Sequence, residues 1–319
     1  MTDVKNPLIT FALFAYNQSN YIRDAVAAAL AQDYSPLEII LSDDCSSDDT
    51  FEIMKQAAQS YRGPHSIVLN RNSENLNIGN HVNRVGEIAQ GKMIVVAAGD
   101  DISLPDRTSR MVALWQASGA RTSVLYSDFL AIDQNSVPVD LENEVTYSGP
   151  HSLASMASGA VNVLGATTSM TSDLFSKFPP LSPTVRHEDR VLPFRCLLLG
   201  GDILYVSEKL VRYRVTGGIS RQIPRTLKDY LRIYTPSIAN RTLPDALQRL
   251  SDTLYAKPQD LQLRHICEST IADHESRLDF DASPGWAYER VLFRWIFRGA
   301  RILPLFRHYL KMRYSSVLH

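Results

Sequence analysis

The chain has 319 residues, of which 45% are hydrophobic and 21% are charged, the balance of an ordinary globular protein. Its formal net charge of −1 gives no support to general polyanion binding, so nucleic acid is not expected as a partner. The cysteines, Cys45, Cys196 and Cys267, form no Cys-x-x-Cys pair, which argues against a disulfide framework or a zinc site and fits a reducing cytoplasm. We expect neither a signal peptide nor a membrane-spanning helix, because the sequence begins without a basic and apolar leader and has no apolar run of about 18 residues.

The first half of the chain alternates between strand and helix patterns. Short apolar runs predict buried strands over residues 8–16, 37–42, 66–70 and 92–99. Between them, helical patterns cover residues 22–30, 50–61 and 80–90. This alternation predicts parallel β-α-β units with right-handed crossovers, and such sheets bind ligands at the carboxyl ends of their strands.

The second half gives weaker signals. Residues 124–129 predict a fifth strand, and residues 134–159, which are polar and punctuated by Gly and Ser, predict a mobile segment. From residue 224 onward the sequence predicts helices. We therefore expect an α/β domain over residues 1–222 and a helical C-terminal region over residues 223–319.

The end of the C-terminal region, residues 286–319, is basic and rich in aromatic residues. A basic amphipathic segment can lie on an anionic membrane surface, which would give a cytoplasmic protein a peripheral contact with the inner face of the membrane. The alternative is a helix that packs on the α/β domain and leaves its arginines in solvent. A contact with a partner protein is a third alternative.

Two acidic pairs follow directly on predicted strands. Asp43 and Asp44 come after the second strand, and Asp100 and Asp101 follow Gly99 after the fourth. Adjacent carboxylates repel each other and are costly to bury without a positive partner. Each pair marks either an Asp-rich turn or part of one site. In such a site the first pair would accept hydrogen bonds from a nucleotide, and a divalent cation would neutralise the second.

A third acidic pair, Glu188 and Asp189, opens a predicted helix. Negative charge is favourable at a helix N-terminus, so capping explains one acid well and two acids less well. A carboxylate that faces a sugar hydroxyl could also act as the general base that removes its proton. His187, just before this pair, is expected to cap or to form a hydrogen bond rather than to act as the base.

Taken together, three segments resemble one family over roughly residues 7–220. They are "AYNQSNYIRDAVAAALAQDYSPLEIILSDDCSSDDT", "NLNIGN" with "AQGKMIVVAAGDDISLPDR", and "HEDRVLPFRCLLLGGDILYVSEKLVRYR". They are similar to family 2 inverting glycosyltransferases of the GT-A fold, of the type that builds bacterial surface polysaccharides. The resemblance implies a Rossmann-like, mostly parallel sheet flanked by helices. It also implies transfer of a sugar from a nucleoside-diphosphate sugar, with UDP or dTDP favoured, to a hydroxyl of a glycan or lipid-linked glycan.

The resemblance also assigns roles to individual positions. It implies that Asp189 is the general base, with Glu188 beside it. It implies that Mg²⁺ or Mn²⁺ binds chiefly to Asp100, with Asp101 in support. The remaining implied contacts with the nucleotide sugar are Phe14, Ala15, Tyr16, Asp43, Asp44, Asn83, Gly99, Asp100 and Arg214.

The sequence departs from the family pattern at several positions. Ala98 replaces the first Asp of a motif often written Asp-x-Asp-Asp, and Thr216 stands where relatives often carry a His, so that Arg214 or Arg221 could contact the diphosphate instead. Cys45 stands where many relatives have Gly, and we expect a packed residue there rather than a nucleophile. These departures keep a second hypothesis open, a non-catalytic GT-A subunit that binds a nucleotide or a glycan. An oxidoreductase is disfavoured because "FAYNQSN" replaces the GxGxxG fingerprint after the first strand.

Overall fold

The computed structural model describes residues 6–140, 150–215 and 235–278. The strands are β1 (Ile9–Ala15), β2 (Leu37–Asp43), β3 (Ser66–Arg71), β4 (Met93–Ala98), β5 (Ile102–Ser103), β6 (Ser123–Ile132), β7 (Thr168–Thr171) and β8 (Asp202–Arg214). The helices are α1 (Ile22–Leu30), α2 (Thr50–Ser60), α3 (Asn77–Ile88), α4 (Arg107–Ala117), α5 (Leu153–Ala157), α6 (Asp173–Ser176), α7 (Glu188–Leu198), α8 (Thr235–Ala256) and α9 (Leu261–Leu278). A 3₁₀ turn, Gly165–Thr167, precedes β7.

The described strands form one 8-stranded sheet in the order β3-β2-β1-β4-β7-β6-β8-β5. Strands β3, β2, β1 and β4 are parallel, whereas β7 runs antiparallel to both β4 and β6. Strand β8 is parallel to β6 and antiparallel to β5. The α/β class with a Rossmann-like first half is therefore confirmed, and the second half of the sheet is mixed.

The register aligns the carboxyl ends of the three central parallel strands. Phe14 of β1 lies level with Ser42 of β2 and with Ala98 of β4. The residues that follow these three strands therefore emerge at one edge of the sheet, where open α/β sheets bind their ligands.

The core lies on both faces of the parallel half. On β1, Phe11 and Leu13 pack into a cluster with α1, α2 and α4, while Ala12 points to the other face and packs against Val85 of α3. Because both faces are covered, these strands are continuous apolar runs rather than alternating ones. This explains why the sequence signal for the first half is strong.

Some predicted boundaries differ from the structure. Helix α3 begins at Asn77 instead of residue 80, because Asn75 Oδ1 accepts a hydrogen bond from Asn77 N at 2.9 Å and starts the turn earlier. No sequence pattern predicts the two-residue strand β5. Residues 134–159 were predicted to be mobile, but helix α5 lies within them, with a capping box in which Ser152 and Ser155 bond reciprocally. Residues 141–149 lie outside the described part.

The described part of the C-terminal region is helical, as predicted. Helix α8 packs against α9 and also against α7 of the preceding α/β unit, where Arg195 and Asp252 form a buried ion pair. Within the described ranges, no helix has the length and apolar character needed to span a bilayer. Thr216, Arg221 and the basic tail, residues 286–319, lie outside the described residues, so the predictions made for them stay predictions, as does the domain boundary at residue 222.

Candidate active site

Asp43, at the end of β2, bonds within the protein. Its Oδ2 accepts a hydrogen bond from Ser46 N at 2.9 Å, and its Oδ1 accepts one from the Ser46 hydroxyl. Arg71 Nε lies 3.6 Å from the same Oδ2, and the Asp43 side chain is fully buried. These contacts hold the turn after β2 in place. A direct contact between Asp43 and a nucleotide stays a prediction.

Asp44 keeps part of its carboxylate available. Its Oδ1 accepts hydrogen bonds from Asn72 Nδ2 at 2.8 Å and from Leu76 N at 2.9 Å, and its own N–H donates to Ala15 O. Among the described residues, no hydrogen bond reaches Asp44 Oδ2. A fixed carboxylate with one open oxygen suits an N–H group on the edge of a nucleotide base.

A buried chain of hydrogen-bonded polar side chains supports Asp44, and no sequence pattern predicts this chain. His81 Nε2 and Ser42 Oγ lie 2.7 Å apart, and Asn70 Nδ2 donates to Ser42 Oγ at 3.0 Å and to Asn72 Oδ1 at 3.1 Å. Burial lowers the pKa of His81, against the influence of Asp44, so the imidazole is neutral at pH 7. The chain fixes the orientation of the Asn72 amide that holds Asp44.

The loop after β1 is tied to the segment before α2. Gln18 N donates to Thr50 Oγ1 at 2.8 Å, and Ser19 N donates to Asp48 Oδ2 at 3.0 Å. Burial alone would raise the pKa of Asp48, but hydrogen bonds from Thr50 and Ser19 lower it to about 2. Asp48 therefore joins two loops at the carboxyl edge of the sheet.

The three residues implied as base contacts differ in exposure. Tyr16 is 48% exposed, Ala15 is only 3% exposed, and the ring of Phe14 packs edge-on against His81 at 5.0 Å between centroids. Tyr16 is therefore the one of the three that offers a free ring for stacking on a base.

The turn after β4 holds its second acid tightly. Asp101 is buried, and its Oδ1 accepts a hydrogen bond from Arg214 N at 2.7 Å. No described residue bonds to its buried Oδ2. Burial, with Asp100 adding to it, raises the pKa of Asp101 to about 7, although Arg107 and Arg214 oppose the shift.

Arg107 is a buried cation next to this turn. Its Nη1 donates to Ser103 Oγ at 2.8 Å, and its Nη2 donates to Val96 O at 2.7 Å and to Thr168 O at 3.1 Å. Burial lowers its pKa to about 9, and Asp101 opposes this shift. Arg107 therefore supplies part of the positive charge that the adjacent acids Asp100 and Asp101 require.

Arg214, which is predicted to contact the nucleotide sugar, also holds the turn after β4 in place. Its Nε donates to Asp100 O at 2.8 Å, its Nη1 to Asp133 O at 2.7 Å and its Nη2 to Ser136 Oγ at 3.0 Å. The guanidinium also lies 4.4 Å from the centroid of the Tyr21 ring. Each nitrogen of the group has one protein partner, and Nη1 and Nη2 each carry a second N–H, so a diphosphate contact stays a prediction.

Asp100 and Asp101 form a plausible donor set for one cation. Asp100 is partly exposed, and Asp101 Oδ2, beside it, has no hydrogen-bond partner among the described residues. Gly99 allows Gln18 to close over the turn, because a Cβ there would lie 2.4 Å from Gln18 Oε1. In the described ranges, no group of three or more His, Cys, Asp or Glu side chains converges as a metal site. Two carboxylates fit Mg²⁺, which commonly takes one or two of them and completes its shell with substrate phosphates and water.

Glu188 and Asp189 occupy the first turn of α7. Burial raises the pKa of Glu188 to about 8, with Asp189 adding to the shift. Burial also raises the pKa of Asp189, but the Gly165 N–H, which donates to Asp189 Oδ2 at 3.0 Å, and His187 oppose that shift. Burial therefore raises the pKa of both acids, and Glu188 keeps its proton near neutral pH.

Tyr213 of β8 connects the two acidic pairs. Burial raises the pKa of its phenol, and Asp101, Asp100 and Asp189 each raise it further. All three carboxylates therefore lie within electrostatic reach of one hydroxyl group, so the turn after β4 and the start of α7 face the same site. The sequence analysis did not single out Tyr213.

Two other predicted residues have protein partners. Asn83 of α3 donates from Nδ2 to Leu181 O at 2.8 Å and accepts from Leu181 N through Oδ1 at 2.8 Å. Its contact with a nucleotide sugar stays a prediction. His187 donates from Nδ1 to Asp245 Oδ2 at 2.7 Å, which is the hydrogen-bonding role expected for it.

A protein-family model matches the part of the sequence that forms this edge of the sheet. The family model described as Glycosyl transferase family 2 matches residues 10–137, which include β1 to β4 and both strand-end acid pairs. The match covers less than half of the chain, and over this segment the protein is similar to family 2 glycosyl transferases. The segment of the chain with Glu188 and Asp189 lies beyond the match.

The chain also has similar curated proteins. The chain is 34% identical over 146 residues to the succinoglycan biosynthesis protein ExoO of Rhizobium meliloti (strain 1021), a match that covers 44% of this chain and 39% of ExoO. The chain spans about two fifths of the length of the first curated relatives that it matches.

Solved structures share the fold well beyond the segment that the family model matches. TarS 1-349 of S. aureus in complex with UDP superposes with a TM-score of 0.56 at 15% identity, covering 84% of this chain and 72% of that one. The mannosyltransferase PcManGT of Pyrobaculum calidifontis, in complex with GDP-Man and Mn²⁺, gives a TM-score of 0.55 at 14% identity over 99% of this chain and 88% of that one. At these identities the likeness shows the fold, which is the GT-A fold.

Proposed function

We propose that the protein is a metal-dependent glycosyltransferase that moves a sugar, with inversion, from a nucleoside-diphosphate sugar to a hydroxyl of a glycan or lipid-linked glycan. The observation that carries the proposal is that Asp100 and Asp101, after β4, and Asp189, at the start of α7, all lie within electrostatic reach of the Tyr213 phenol. The first two acids suit the diphosphate and its cation, and Asp189 suits an attacking hydroxyl. The nucleotides bound by TarS and PcManGT, and the Mn²⁺ of the latter, support a donor of this class.

The donor side of the proposed reaction uses the parallel half of the sheet. Asp44 accepts a hydrogen bond from the base, and Tyr16 stacks on it. Asp100, with Asp101 in support, would hold Mg²⁺ or Mn²⁺, and a cation bound there supplies Lewis-acid stabilisation of the departing diphosphate. Asp101 is buried and accepts a hydrogen bond from Arg214 N, whereas Asp100, which is hydrogen-bonded to the Gln18 side chain, is the more exposed acid of the pair.

The acceptor side uses the start of α7. Asp189 takes the proton of the acceptor hydroxyl while the oxygen forms its bond to the anomeric carbon and the bond to the diphosphate oxygen breaks. Its raised pKa makes it a stronger base than an ordinary aspartate and brings its pKa closer to neutral pH. A single displacement of this kind inverts the anomeric centre and needs no nucleophile from the protein. The name of ExoO favours an acceptor in polysaccharide synthesis.

The second candidate function is a GT-A subunit that binds the same ligands without catalysis. Ala98, which removes one carboxylate from the acidic motif, is the observation that favours it. This candidate predicts binding of a nucleotide sugar with no release of nucleoside diphosphate, with or without acceptor.

The first test is release of nucleoside diphosphate from UDP-, dTDP- and GDP-sugars in Mn²⁺, Mg²⁺ or EDTA. We expect slow hydrolysis of one donor that EDTA abolishes.

We expect Asp100→Asn to lower this rate by about 100-fold or more, because a charged group aimed at the departing diphosphate is lost. Asp106→Asn, an exposed acid of the same segment paired with Arg110, is the matched control and should keep the rate. Wild-type turnover in Asp100→Asn would show that the metal assignment is wrong. Donor binding without release under any condition, acceptor included, would favour the binding subunit.

Gly165 gives a second prediction at this site. A Cβ on this residue would lie 2.8 Å from Glu188 Oε1 and 3.3 Å from Asp189 Oδ2, so Gly165→Ala must displace the Glu188 carboxylate and crowd that of Asp189. We expect a loss of about tenfold or more in transfer rate, because small displacements of a catalytic group are costly. The control is Gly200→Ala, at a positive φ of 72° with open space around it. It should cost about 1 kcal/mol of stability through backbone strain and keep the transfer rate. Equal transfer rates in the two variants would contradict the prediction.

A further inference from the structure

Asp245, on helix α8, reaches back to the start of helix α7. Its Oδ1 accepts hydrogen bonds from Arg186 N at 2.9 Å and from His187 N at 3.1 Å, and its Oδ2 accepts one from His187 Nδ1 at 2.7 Å. The carboxylate is fully buried. Three donors on two consecutive residues are therefore held by one side chain that comes from the C-terminal region.

These contacts determine how the chain enters α7. His187 precedes the helix in an extended conformation, with φ of −138° and ψ of 94°, and its side chain makes no capping bond of its own. Asp245 supplies the negative charge that a helix N-terminus favours, from outside the helix. The next two residues are Glu188 and Asp189, so the position of the proposed base follows directly from the residue that Asp245 holds.

Asp189 faces charged groups from several elements. From α7 these are Glu188, His187 and Arg190, and from α8 the group is Asp245, which itself attracts Arg249. The Tyr213 phenol faces it from β8, and the Gly165 N–H faces it from the 3₁₀ turn. In this set, Asp245 is the negatively charged group of α8. It raises the pKa of Asp189, whereas His187 lowers it.

We propose that Asp245 is a positioning residue for the general base: it orients Asp189 through His187 and makes helix α8 part of the apparatus that receives the acceptor. The proposal rests on the proposed function, because it takes Asp189 as the base. Asp245 has no contact with the donor side, since its described hydrogen bonds all go to residues 186 and 187.

The test compares transfer kinetics of Asp245→Ala, His187→Ala and His187→Asn. We expect Asp245→Ala to lower kcat by about tenfold to a hundredfold with little change in KM for the donor, because the donor binds on β1, β2 and β4. His187→Ala should lose as much. His187→Asn should recover most of kcat, because the Asn amide nitrogen lies near the place of Nδ1 and can donate to Asp245. Loss of activity in His187→Asn equal to that in His187→Ala would overturn the proposal and assign the proton chemistry to the imidazole.

The matched control is Asp252→Asn, seven residues further along the same helix. Asp252 also joins α8 to α7, through Arg195, but near the far end of α7. Asp252→Asn should lower the melting temperature and keep kcat when assayed well below it. Equal losses of kcat in Asp245→Ala and Asp252→Asn would reduce Asp245 to a general packing contact and overturn the proposal.

A pH profile adds a readout that packing alone would not move. Asp245→Asn removes a negative charge that raises the pKa of Asp189, so the acidic limb of kcat/KM should shift to lower pH. Asp252→Asn should leave that limb in place. An unshifted limb in Asp245→Asn would count against the proposal.

Two further measurements separate this proposal from the proposed function. Wild-type activity in Asp189→Asn would reject Asp189 as the base, whatever Asp245 does. Amide hydrogen exchange at residues 186–190 should accelerate in Asp245→Ala independently of any activity. Faster exchange with unchanged kcat would show an anchor without a catalytic consequence and would overturn the proposal while leaving the proposed function intact.

Discussion

Replacing Asp189 with asparagine should lower the rate of sugar transfer by about 10²–10⁴-fold and leave the protein folded. The amide keeps the shape of the side chain, and its oxygen can still accept the hydrogen bond that Gly165 N donates at 3.0 Å. It cannot take a proton from the acceptor hydroxyl. The measurement is kcat with donor and acceptor both present, together with a thermal melt that shows an unchanged fold.

Glu188→Gln is the matched control for this prediction. Burial raises the pKa of Glu188 to about 8, so its side chain is a neutral acid at pH 7, and the neutral amide of glutamine resembles it. We expect a loss of less than about tenfold, well below the range for the general base. A larger loss in Glu188→Gln than in Asp189→Asn would exchange the roles of the two acids.

The pH dependence of transfer follows from the same environment. Burial raises the pKa of Asp189 above that of an ordinary aspartate. Only the deprotonated side chain can accept the proton, so kcat/KM should be full above this pKa and should fall as the pH drops through it. The fall should begin at a higher pH than for a solvated aspartate. It should be absent in Asp189→Asn, whose residual rate should not depend on this group.

Replacing Asp252 with alanine should lower the free energy of unfolding by about 3–5 kcal/mol. Arg195 Nε donates to Asp252 Oδ2 at 2.8 Å and Arg195 Nη2 donates to Asp252 Oδ1 at 3.0 Å, and neither side chain is more than 2% exposed. The variant therefore leaves a buried guanidinium without its counter-ion. Urea unfolding should show the loss directly, and the melting temperature should drop by roughly 10 °C.

An exposed ion pair provides the control for that experiment. Arg264 Nε lies 2.7 Å from Glu268 Oε1 on α9, but the two side chains are 47% and 44% exposed. Glu268→Ala should cost less than about 1 kcal/mol, because solvent screens the pair. Similar losses in Asp252→Ala and Glu268→Ala would mean that burial of Arg195 carries no penalty. A double variant, Arg195→Met with Asp252→Leu, should recover much of the stability, because it removes both charges.

The parts of the site that the sequence predicted are those encoded locally. An apolar run followed by two acids identifies a strand end, and Asp44 and Asp100 are both found at the carboxyl edge, as their positions after β2 and β4 require. The start of α7 at Glu188 was predicted for the same reason, since acids before an apolar helical pattern mark an N-terminus.

The parts that the sequence did not predict depend on contacts between distant segments. Arg107 reaches Thr168, His81 reaches Ser42, and Asp245 reaches His187. A buried arginine or histidine has no periodic signature, because its neighbours along the chain do not show which backbone it will meet. For this reason the sequence predicts a bound metal cation beside the acidic turn after β4. It does not predict that the buried Arg107 also supplies positive charge there.

The backbone conformation of Cys45 explains why a small residue is found in the turn after β2. Its φ is 63°, in the left-handed region that favours glycine. The thiol is partly exposed and lies 3.7 Å from Ser73 O. Cys45 therefore adopts a backbone conformation that glycine would adopt at lower cost.

The change of strand direction between β4 and β7 has an evolutionary consequence. The residues proposed for the donor lie on the parallel side of this boundary, and Asp189 lies beyond it. Three residue pairs join the two strands, from Met93 opposite Thr171 to Val95 opposite Ser169, and Arg107 bridges the same boundary. Because few contacts join β4 to β7, the sequence beyond β7 can change, or be replaced by recombination, while the parallel half of the sheet keeps its donor site. We therefore expect descendants of one ancestor to retain the activated sugar and to differ in the molecule they extend.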